Sequence, residues 1–369
     1  MTARPIIGKV SSSRFWAVLL SLACALTVHA ESIGGVRHPI QKLIDGDHWK
    51  RARAAAQSLL AQNPRDALAL TFMSIIEESF NRWDAAKSYA EQAVASDPKY
   101  ADGHAQLARV SAEMAETASV LKQVNFVRIV KRELEACYKL DPVNLDALLT
   151  DMMYTFKAPG IAGGSRGKAH EIAQRILRTY PEWGRLAEAK LAQGENNEPS
   201  AIRWLREPGT GNYRIQSNLA QVYCCLSSRP WYEEATRIAK SMIIGDPTRV
   251  DAYVLLARIY SATGVYGELD GLLAAAAQKV PEDLSPYYWA ARTLAEHKAE
   301  AARAEGYIKR YLASEPEGRA PTVGEARWTL GLVLECAGRK QEAASEIKAA
   351  YKLRPDLEGL KRDFKRLSD

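Results

Sequence analysis

Prolines recur along this chain at an interval close to 34 residues. Pro98 follows Pro64 by 34 residues, Pro281 follows Pro247 by 34, and the next comes 35 residues later. The other intervals of 39 and 44 residues fit the same unit with a longer loop or helix, and one of 66 is close to two units. A fixed period of this length predicts an array in which each unit buries its apolar face only against its neighbours. The full series is Pro64, Pro98, Pro142, Pro181, Pro247, Pro281, Pro316 and Pro355.

Within a unit, small and apolar residues recur at helical spacing. In the unit that ends at Pro281, one stripe precedes Gly264 and a second stripe follows it. Spacings of three and four place each stripe on one face of a helix, and the glycine marks the turn between the two helices. The first stripe comprises Tyr253, Leu256, Ala257 and Tyr260, and the second comprises Leu269, Leu273 and Ala276.

These units resemble the tetratricopeptide repeat, a 34-residue helix-turn-helix unit with a leucine and a small residue on the first helix, alanines on the second and a closing proline. The resemblance covers about residues 40–355 and is most specific in the units that end at Pro98, Pro281 and Pro355. It implies an all-α fold, a right-handed helical solenoid of about nine helix pairs. A final amphipathic stripe predicts a C-terminal capping helix, and its residues are Leu357, Leu360, Phe364 and Leu367.

A polar stretch interrupts the repeats near the middle of the chain. Residues 193–216 hold two polar segments around a short predicted helix, Ser200 to Arg206, and the unit there lacks a closing proline. The pattern predicts an N-terminal array over residues 31–192 and a C-terminal array with its capping helix over residues 217–369. Residues 193–216 are either a degenerate unit, which we favour, or a linker between two domains.

The first 30 residues have the order of a secretory signal peptide. Arg4, Lys9 and Arg14 precede an apolar run of about 14 residues, and small side chains then occupy positions −3 and −1 of a cleavage site that ends at Ala30. We therefore expect cleavage after Ala30 and a periplasmic or secreted protein. The run is shorter than the roughly 20 residues that span a bilayer. Cys24 leaves a lipoprotein as a minor alternative.

The charge of the remaining chain argues against some classes of partner. Without the signal segment, 47 Lys and Arg stand against 44 Asp and Glu. So small an excess gives little attraction for nucleic acid. No later segment reaches 18 apolar residues, so we expect no integral membrane segment in the mature chain.

Four cysteines follow the signal segment: Cys137, Cys224, Cys225 and Cys336. In an oxidising compartment they allow three complete pairings, which the sequence does not rank. Cys224 and Cys225 are adjacent and would point about 100° apart on a helix, so we expect them not to bridge each other. The spacing fits no zinc site, and the favoured interpretation is small buried apolar residues.

Residues 163–167 match the G-x-S-x-G string of hydrolases, with Ser165 as the nucleophile. That motif requires a buried strand before the serine and an Asp and a His from an α/β fold, whereas helix pairs are predicted on both sides here. The favoured interpretation is that Ser165 caps a helix over residues 168–179, and hydrolysis stays a remote alternative. The histidines form no metal-binding cluster, so we expect no catalysis, no metal and no cofactor.

The resemblance to tetratricopeptide arrays also implies a concave surface lined by the first helix of each unit. An arginine recurs at one position of that surface in three units, and those of adjacent units would stand about 10 Å apart. These arginines would bind carboxylates or carbonyls of a peptide, with aromatic residues as apolar anchors. The plainer alternative is that arginine, a good helix former, pairs with nearby acids. The predicted partner-binding residues are Asp102, Arg109, Asp251, Arg258, Tyr288, Arg292 and Trp328.

The sequence thus predicts a non-catalytic protein-protein interaction scaffold of the cell envelope, which binds a partner protein or peptide along its concave face. The alternative is an accessory protein that binds a small molecule or glycan for an envelope transport or wall-remodelling system. Neither the partner nor the oligomeric state follows from the residues.

Overall fold

The computed structural model describes residues 38–206, 213–226, 231–318 and 321–368. Within these ranges the chain forms 19 α-helices and no β-strand. The predicted signal peptide, residues 1–30, lies outside them. In chain order the helices are α1 (Pro39–Asp45), α2 (Trp49–Gln62), α3 (Ala67–Ser79), α4 (Trp83–Ser96), α5 (Ala101–Thr117), α6 (Val120–Leu140), α7 (Leu145–Lys157), α8 (Arg166–Thr179), α9 (Pro181–Gly194), α10 (Glu198–Arg206), α11 (Tyr213–Gln221), α12 (Tyr232–Gly245), α13 (Val250–Thr263), α14 (Tyr266–Lys279), α15 (Ser285–Glu296), α16 (Ala301–Leu312), α17 (Val323–Cys336), α18 (Lys340–Leu353) and α19 (Glu358–Ser368).

The described helices form nine consecutive pairs followed by α19. Each helix packs against the next one in the series, and odd-numbered helices also contact one another, as α3 contacts α5 and α13 contacts α15. These two contact patterns together define a solenoid of stacked helix pairs. The expected all-α helical solenoid of about nine pairs is therefore confirmed. None of these helices is both long and apolar enough to cross a membrane.

Burial distinguishes the two helices of a pair. Every residue of α3 from Ala69 to Ser79 is buried, whereas α4 buries only Ala86, Ala90 and Ala93. Those three alanines lie on one face of α4, which is the contact stripe of a helix that covers an inner helix. The pairs α13–α14 and α17–α18 show the same contrast. Odd-numbered helices therefore form an inner layer, and even-numbered helices form an outer layer.

Side-chain caps determine where several helices begin. The Asp66 carboxylate accepts a hydrogen bond of 2.8 Å from the Ala69 amide at the start of α3, and the Asn144 side chain caps α7 in the same way. Thr322 and Glu325 form a reciprocal capping box at the start of α17. These bonds satisfy amides that have no partner within the first turn of a helix.

The last helix covers the end of the array. Leu360 of α19 is fully buried, and Phe364 stacks on Tyr351 of α18 with ring centroids 4.6 Å apart. Leu357 and Leu367 complete the same stripe. The predicted C-terminal capping helix is thus present, and it buries the apolar face of α18.

The polar middle of the chain contains a further helix pair, α9 and α10. The latter begins at Glu198, two residues before the predicted start, and its Leu205 is buried. One hydrophobic cluster runs from Leu145 in α7 through Leu205 to Val222 after α11. The division of the chain into two arrays stays a prediction.

The N-terminal end of the array meets its C-terminal half. The N-terminal turn segment, residues 45–51, lies against the beginnings of α11, α13 and α15 and against the connection after α16. The Lys50 amide donates a hydrogen bond of 2.7 Å to the Glu317 carboxylate. Trp49 is buried against Gly318, where an added Cβ would stand 2.6 Å from the indole. The solenoid therefore curves far enough to bring its first pair against its C-terminal half.

Cys224 and Cys225 form a disulfide, so the expectation that these neighbours do not bridge is wrong. The α-helix ends at Gln221 and a π-helical turn follows, so the separation of about 100° on an α-helix does not apply to them. Cys137 is buried, Cys336 is exposed, and both are free thiols.

Candidate functional site

Two arginines of the inner layer lie on tryptophan rings of the next unit. The Arg258 guanidinium of α13 lies 4.7 Å from the ring centroid of Trp289 in α15. The Arg292 guanidinium, one unit further, lies 4.3 Å from the ring centroid of Trp328 in α17. The ring attracts the cation electrostatically, while the N–H edges of the guanidinium stay available to acceptors. The two pairs form a row across three successive inner helices, which we call the arginine row.

Both arginines have the same neighbours. Tyr288 and Glu296 act electrostatically on Arg258 and on Arg292, so the two guanidinium groups lie on one wall of the inner layer. Burial lowers the pKa of Arg258. The same burial acts on Arg292, but Tyr288 and Glu296 outweigh it and raise its pKa. The two sites therefore belong to one electrostatic environment.

One donor of the arginine row has no acceptor in the described chain. Arg292 pairs through Nε with Oε1 of Glu296 at 2.9 Å, but its Nη1 is buried and no described residue accepts a hydrogen bond from it. Arg258 forms no ion pair with any described residue. Buried donors in folded proteins are nearly always paired. The Nη1 donor of Arg292 therefore requires an acceptor, such as water or a group of a bound partner.

The third arginine at this position, Arg109, has a carboxylate of its own. Its Nη2 lies 2.6 Å from Oε2 of Glu78 on the preceding inner helix, and that glutamate side chain is only 5% exposed. Gln106 donates a further hydrogen bond of 3.3 Å to the same oxygen. Arg109 therefore joins α5 to α3, as the plainer interpretation of the arginines predicts, and it differs in setting from Arg258 and Arg292.

The two aspartates of the predicted site make contacts within the protein. Asp102 accepts a hydrogen bond of 2.7 Å from the Asn144 side chain, which joins α5 to the start of α7. Asp251 lies at the start of α13 and accepts a hydrogen bond from the Ala252 amide. Burial raises the pKa of Asp251, and the nearby Arg249 only partly offsets this. The Ser217 hydroxyl of α11 also donates a hydrogen bond to Asp251, so both aspartates connect elements of the array.

The aromatic residues of the site differ from those predicted. Tyr288 is 4% exposed and belongs to the hydrophobic core, so its ring presents no surface to a partner, and burial raises its pKa to about 12. Trp328 is half-buried, and its indole N–H donates a hydrogen bond of 2.9 Å to Asp363 of the capping helix. Trp289 was not predicted from the sequence. It is half-buried, and the Arg258 guanidinium lies on its ring. A search for an aromatic residue one unit after each inner arginine would have found it.

Ser165 is a helix cap. Its Oγ accepts a hydrogen bond of 3.3 Å from the Lys168 amide, and its own amide donates to the Thr155 carbonyl. Helix α8 begins at the next residue, two residues before the predicted start. In the described part of the chain, Ser165 follows a 3-10 turn instead of a strand and no histidine is bonded to it. The capping interpretation is confirmed.

A polar cavity lies outside the inner layer. It has a volume of about 330 Å³, falls between α6, α7 and α8, and is lined in part by Lys131, Asp151, Tyr154 and Lys168. Burial raises the pKa of Asp151, although the Tyr138 hydroxyl donates a hydrogen bond to it. Cavities of this size hold small ligands in other proteins. No cluster of three or more His, Cys, Asp or Glu side chains that could hold a metal ion occurs in the ranges described above.

The fold is of the tetratricopeptide type, and solved structures of that type are similar to it. A tetratricopeptide repeat protein from Parabacteroides merdae is 16% identical, with a TM-score of 0.47 over 70% of this chain and 99% of that one. The Cut9–Hcn1 hetero-tetramer of the APC/C is 12% identical, with a TM-score of 0.42 over 89% of this chain and 76% of that one. No protein-family model and no curated protein matches the chain. At these values the comparisons concern the fold and nothing else.

Proposed function

We propose that this protein is a non-catalytic scaffold that binds a partner protein or peptide along its inner layer, with carboxylates of the partner seated on Arg258 and Arg292. The observation that carries the proposal is the arginine row, in which each guanidinium lies on a tryptophan ring and a buried donor of Arg292 has no acceptor in the described chain. The rings hold the arginines in place, so binding orders few additional side chains. The planar guanidinium suits bidentate contact with a carboxylate.

The spacing of the row suggests the form of the ligand. Packed helices stand about 10 Å apart, and a peptide in the polyproline II conformation advances roughly 3.1 Å per residue and returns to the same face every three residues. Two acidic side chains three residues apart on such a segment would therefore meet both arginines at once. Simultaneous contact at two sites raises the overall affinity above that of either site alone.

Selection from a random peptide display library on the immobilised protein tests this proposal. We expect selected peptides to carry two acidic residues about three positions apart. Their affinity should fall at least about tenfold for the double variant Arg258→Glu/Arg292→Glu, because like charges then face each other. Arg237→Glu is the matched control, since Arg237 lies on the outer helix α12 and its side chain is 73% exposed.

Three outcomes of the selection would count against the proposal. Unchanged affinity of the double variant for acidic peptides would overturn the role of the arginine row. Peptides that carry no acidic residue and still bind the double variant would do the same. Equal losses of affinity in the double variant and in Arg237→Glu would mean that the net charge of the protein, and not the arginine row, determines binding.

We also propose that the protein acts in the periplasm or outside the cell, supported by the order of charged, apolar and small residues before Ala30. Expression of the full chain followed by intact-mass analysis tests this. A mature form that begins at Glu31 in the exported fraction is expected. A lipid-modified Cys24, absent in Cys24→Ser, would establish the lipoprotein instead, and an uncleaved cytosolic chain would contradict both.

Binding of a small molecule or glycan is the second candidate function, favoured by the polar cavity between α6, α7 and α8. A thermal-shift screen with metabolites and oligosaccharides tests it, because a ligand that binds only the folded state raises the midpoint of unfolding. A hit whose effect is lost in Lys131→Ala/Lys168→Ala would support the cavity. A hit lost only in Arg258→Glu/Arg292→Glu would assign the ligand to the arginine row.

A further inference from the structure

Three inner helices hold the N-terminal turn segment. The carboxylate of Asp45 lies 3.2 Å from Nη2 of Arg214 at the start of α11, and the Tyr213 hydroxyl donates a hydrogen bond of 2.6 Å to the Asp45 carbonyl. Arg249, directly before α13, donates to the same carbonyl. Between 168 and 204 residues separate the partners of these bonds. They are therefore tertiary contacts that form only when the array has curved back on itself.

The first residues of α2 extend this contact to the next units. His48 Nδ1 lies 3.0 Å from Oε1 of Glu282 before α15, and Arg51 approaches the same carboxylate at 3.5 Å. Lys50 Nζ lies 3.4 Å from Glu317, which also accepts the Lys50 amide. The segment thus covers the N-terminal ends of three neighbouring inner helices.

Carboxylates meet at the centre of the contact. Asp47, at the tip of the turn, is an electrostatic neighbour of Asp251 and Asp283, and the opposing cations are Arg214 and Arg249. Asp283 is buried, while Asp47 and Asp251 are half-buried. Like charges this close cannot all ionise without cost.

The surroundings raise the pKa values of the carboxyls in this contact toward neutral pH. Burial raises the pKa of Asp47 to about 7, with Arg214 opposing the shift and Asp251 adding to it. Burial likewise raises the pKa of Asp283 to about 6 and that of Glu317 to about 7. In an open form these carboxyls would return to pKa values near 4 in water.

We propose that the N-terminal turn segment is a proton-dependent latch. It holds the first helix pair against the ends of α11, α13 and α15 while the buried carboxyls of this contact carry protons, and it releases the pair as those carboxyls ionise. Closure takes up protons and opening returns them to solvent. Between about pH 4 and the pKa of the carboxyl in the closed form, the ratio of open to closed molecules therefore rises about tenfold per pH unit for each carboxyl that ionises on opening. Opening uncovers Asp251 and the ends of the inner helices beside it.

One group in the contact acts in the opposite direction. Burial lowers the pKa of His48, although Glu282 opposes this, so protonation of His48 favours the open form as the pH falls through about 6.5. The latch is therefore most stable at mildly acidic pH, weakens as the pH rises to about 7, and depends little on pH once the carboxyls are ionised in both forms. The cations that face the cluster and stay charged in this range are Lys50, Arg51, Arg214 and Arg249, and the other acids on the packed elements are Asp45, Asp246 and Glu282.

Spin-label distances measure the latch directly. Labels at Lys42→Cys on α1 and Ser314→Cys after α16, in a Cys336→Ser background, flank the contact on exposed positions. We expect one short distance at pH 6 and a second, longer population at pH 8.5, with an increase of about 100-fold in the open-to-closed ratio. A distance distribution that does not change between these pH values would overturn the proposal.

Amide hydrogen exchange gives an independent measurement with an internal control. The Lys50 amide lies in the first turn of α2 and has no helical partner, so its protection depends on Glu317 across the contact. Its protection should fall between pH 6 and 8.5 after correction for intrinsic exchange. The Ala69 amide, capped by Asp66 at the start of α3, should keep its protection. Equal changes at both amides would mean general loosening and would contradict a latch.

Asp47→Asn tests the central carboxyl. Asp47 has φ 60°, a left-handed conformation that asparagine adopts readily, so the variant should fold. It stays neutral at every pH, and we expect it to lose at least about tenfold of the pH response, while Asp283 and Glu317 keep the remainder. The control is Asp84→Asn, which neutralises an exposed acid at the start of α4. An Asp47→Asn variant that opens with pH as the wild type does would overturn the proposal.

Discussion

The Lys50 backbone amide donates a hydrogen bond of 2.7 Å to the Glu317 carboxylate, which lies 267 residues further along the chain. An amide in the first turn of a helix usually receives its cap from the residue just before the helix. At α2 that residue is His48, whose side chain makes no capping bond. The cap of α2 is thus supplied by the other end of the array, so the first pair is held by α3 on one side and by the C-terminal half on the other.

Arg109 and Arg258 should differ in what they contribute to stability. Arg109→Met removes the ion pair of Arg109 with the buried Glu78 and should lower the free energy of unfolding by about 3 kcal/mol. Arg258→Met removes a charge that has no ion-pair partner among the described residues, and a change within about 1 kcal/mol is expected. Urea unfolding of both variants checks this. Equal losses would mean that the two arginines are equivalent.

The contact stripes of the outer helices should not tolerate a large side chain. Ala86→Phe in α4 and Ala276→Phe in α14 place a ring at a buried helix contact and should each cost about 1 to 3 kcal/mol. Ala95→Phe and Ala274→Phe are matched controls on exposed faces of the same helices. Thermal unfolding compares the four variants. Unchanged melting of the first two would show that the assigned helix faces are wrong.

Two helical glycines should respond to alanine in opposite directions. At Gly184 in α9 an added Cβ would stand 2.1 Å from the Leu177 Cα, so Gly184→Ala should push α8 and α9 apart and cost about 1 to 3 kcal/mol. At Gly271 in α14 no atom lies within 4 Å of the added Cβ. Gly271→Ala should therefore stabilise by about 0.5 to 1 kcal/mol through the unfolded chain. Denaturant midpoints give both signs, and the same sign for both variants would contradict this contrast.

His170 should make stability depend on pH near neutrality. Partial burial lowers its pKa, but the hydrogen bonds that its ring donates to Glu188 at 2.9 Å and Glu195 at 3.3 Å outweigh burial and raise it. A raised pKa adds stability that is fully present below about pH 6.5 and is lost as the pH rises through the raised value. Because the side chain is 38% exposed, the contribution is below about 1 kcal/mol.

The variant His170→Gln should remove that part of the pH dependence. Unfolding free energies between pH 5.5 and 8.5 would then be flatter than those of the wild type. The control is His297→Gln, which changes an exposed histidine at the end of α15. A slope that survives in His170→Gln would assign the effect to another group.

Sequence reasoning placed the arginine row more accurately than its aromatic partners. The repeat phase put Arg258 and Arg292 at equivalent positions, and both lie on one wall because equivalent positions of stacked units face the same way. The same repeat phase predicted Tyr288 as an apolar anchor, whereas the ring that contacts Arg258 is that of the adjacent Trp289. One residue turns a helical side chain by about 100°, and only the packing of α15 against α16 and α17 determines which of two adjacent aromatic residues is buried.

The order of helices, their pairing and the stripes that join them are local properties, and the sequence alone determined them, because spacings of three and four and a period near 34 are visible within single units. The first pair meets the C-terminal half because each unit is rotated slightly against the one before it, and these rotations add up over nine pairs. No pattern within a single unit of the sequence shows their total. For that reason only the tertiary structure brought Asp47 together with Asp251 and Asp283, more than 200 residues away. Burial of these acids, and with it their shifted pKa values, follows from that curvature.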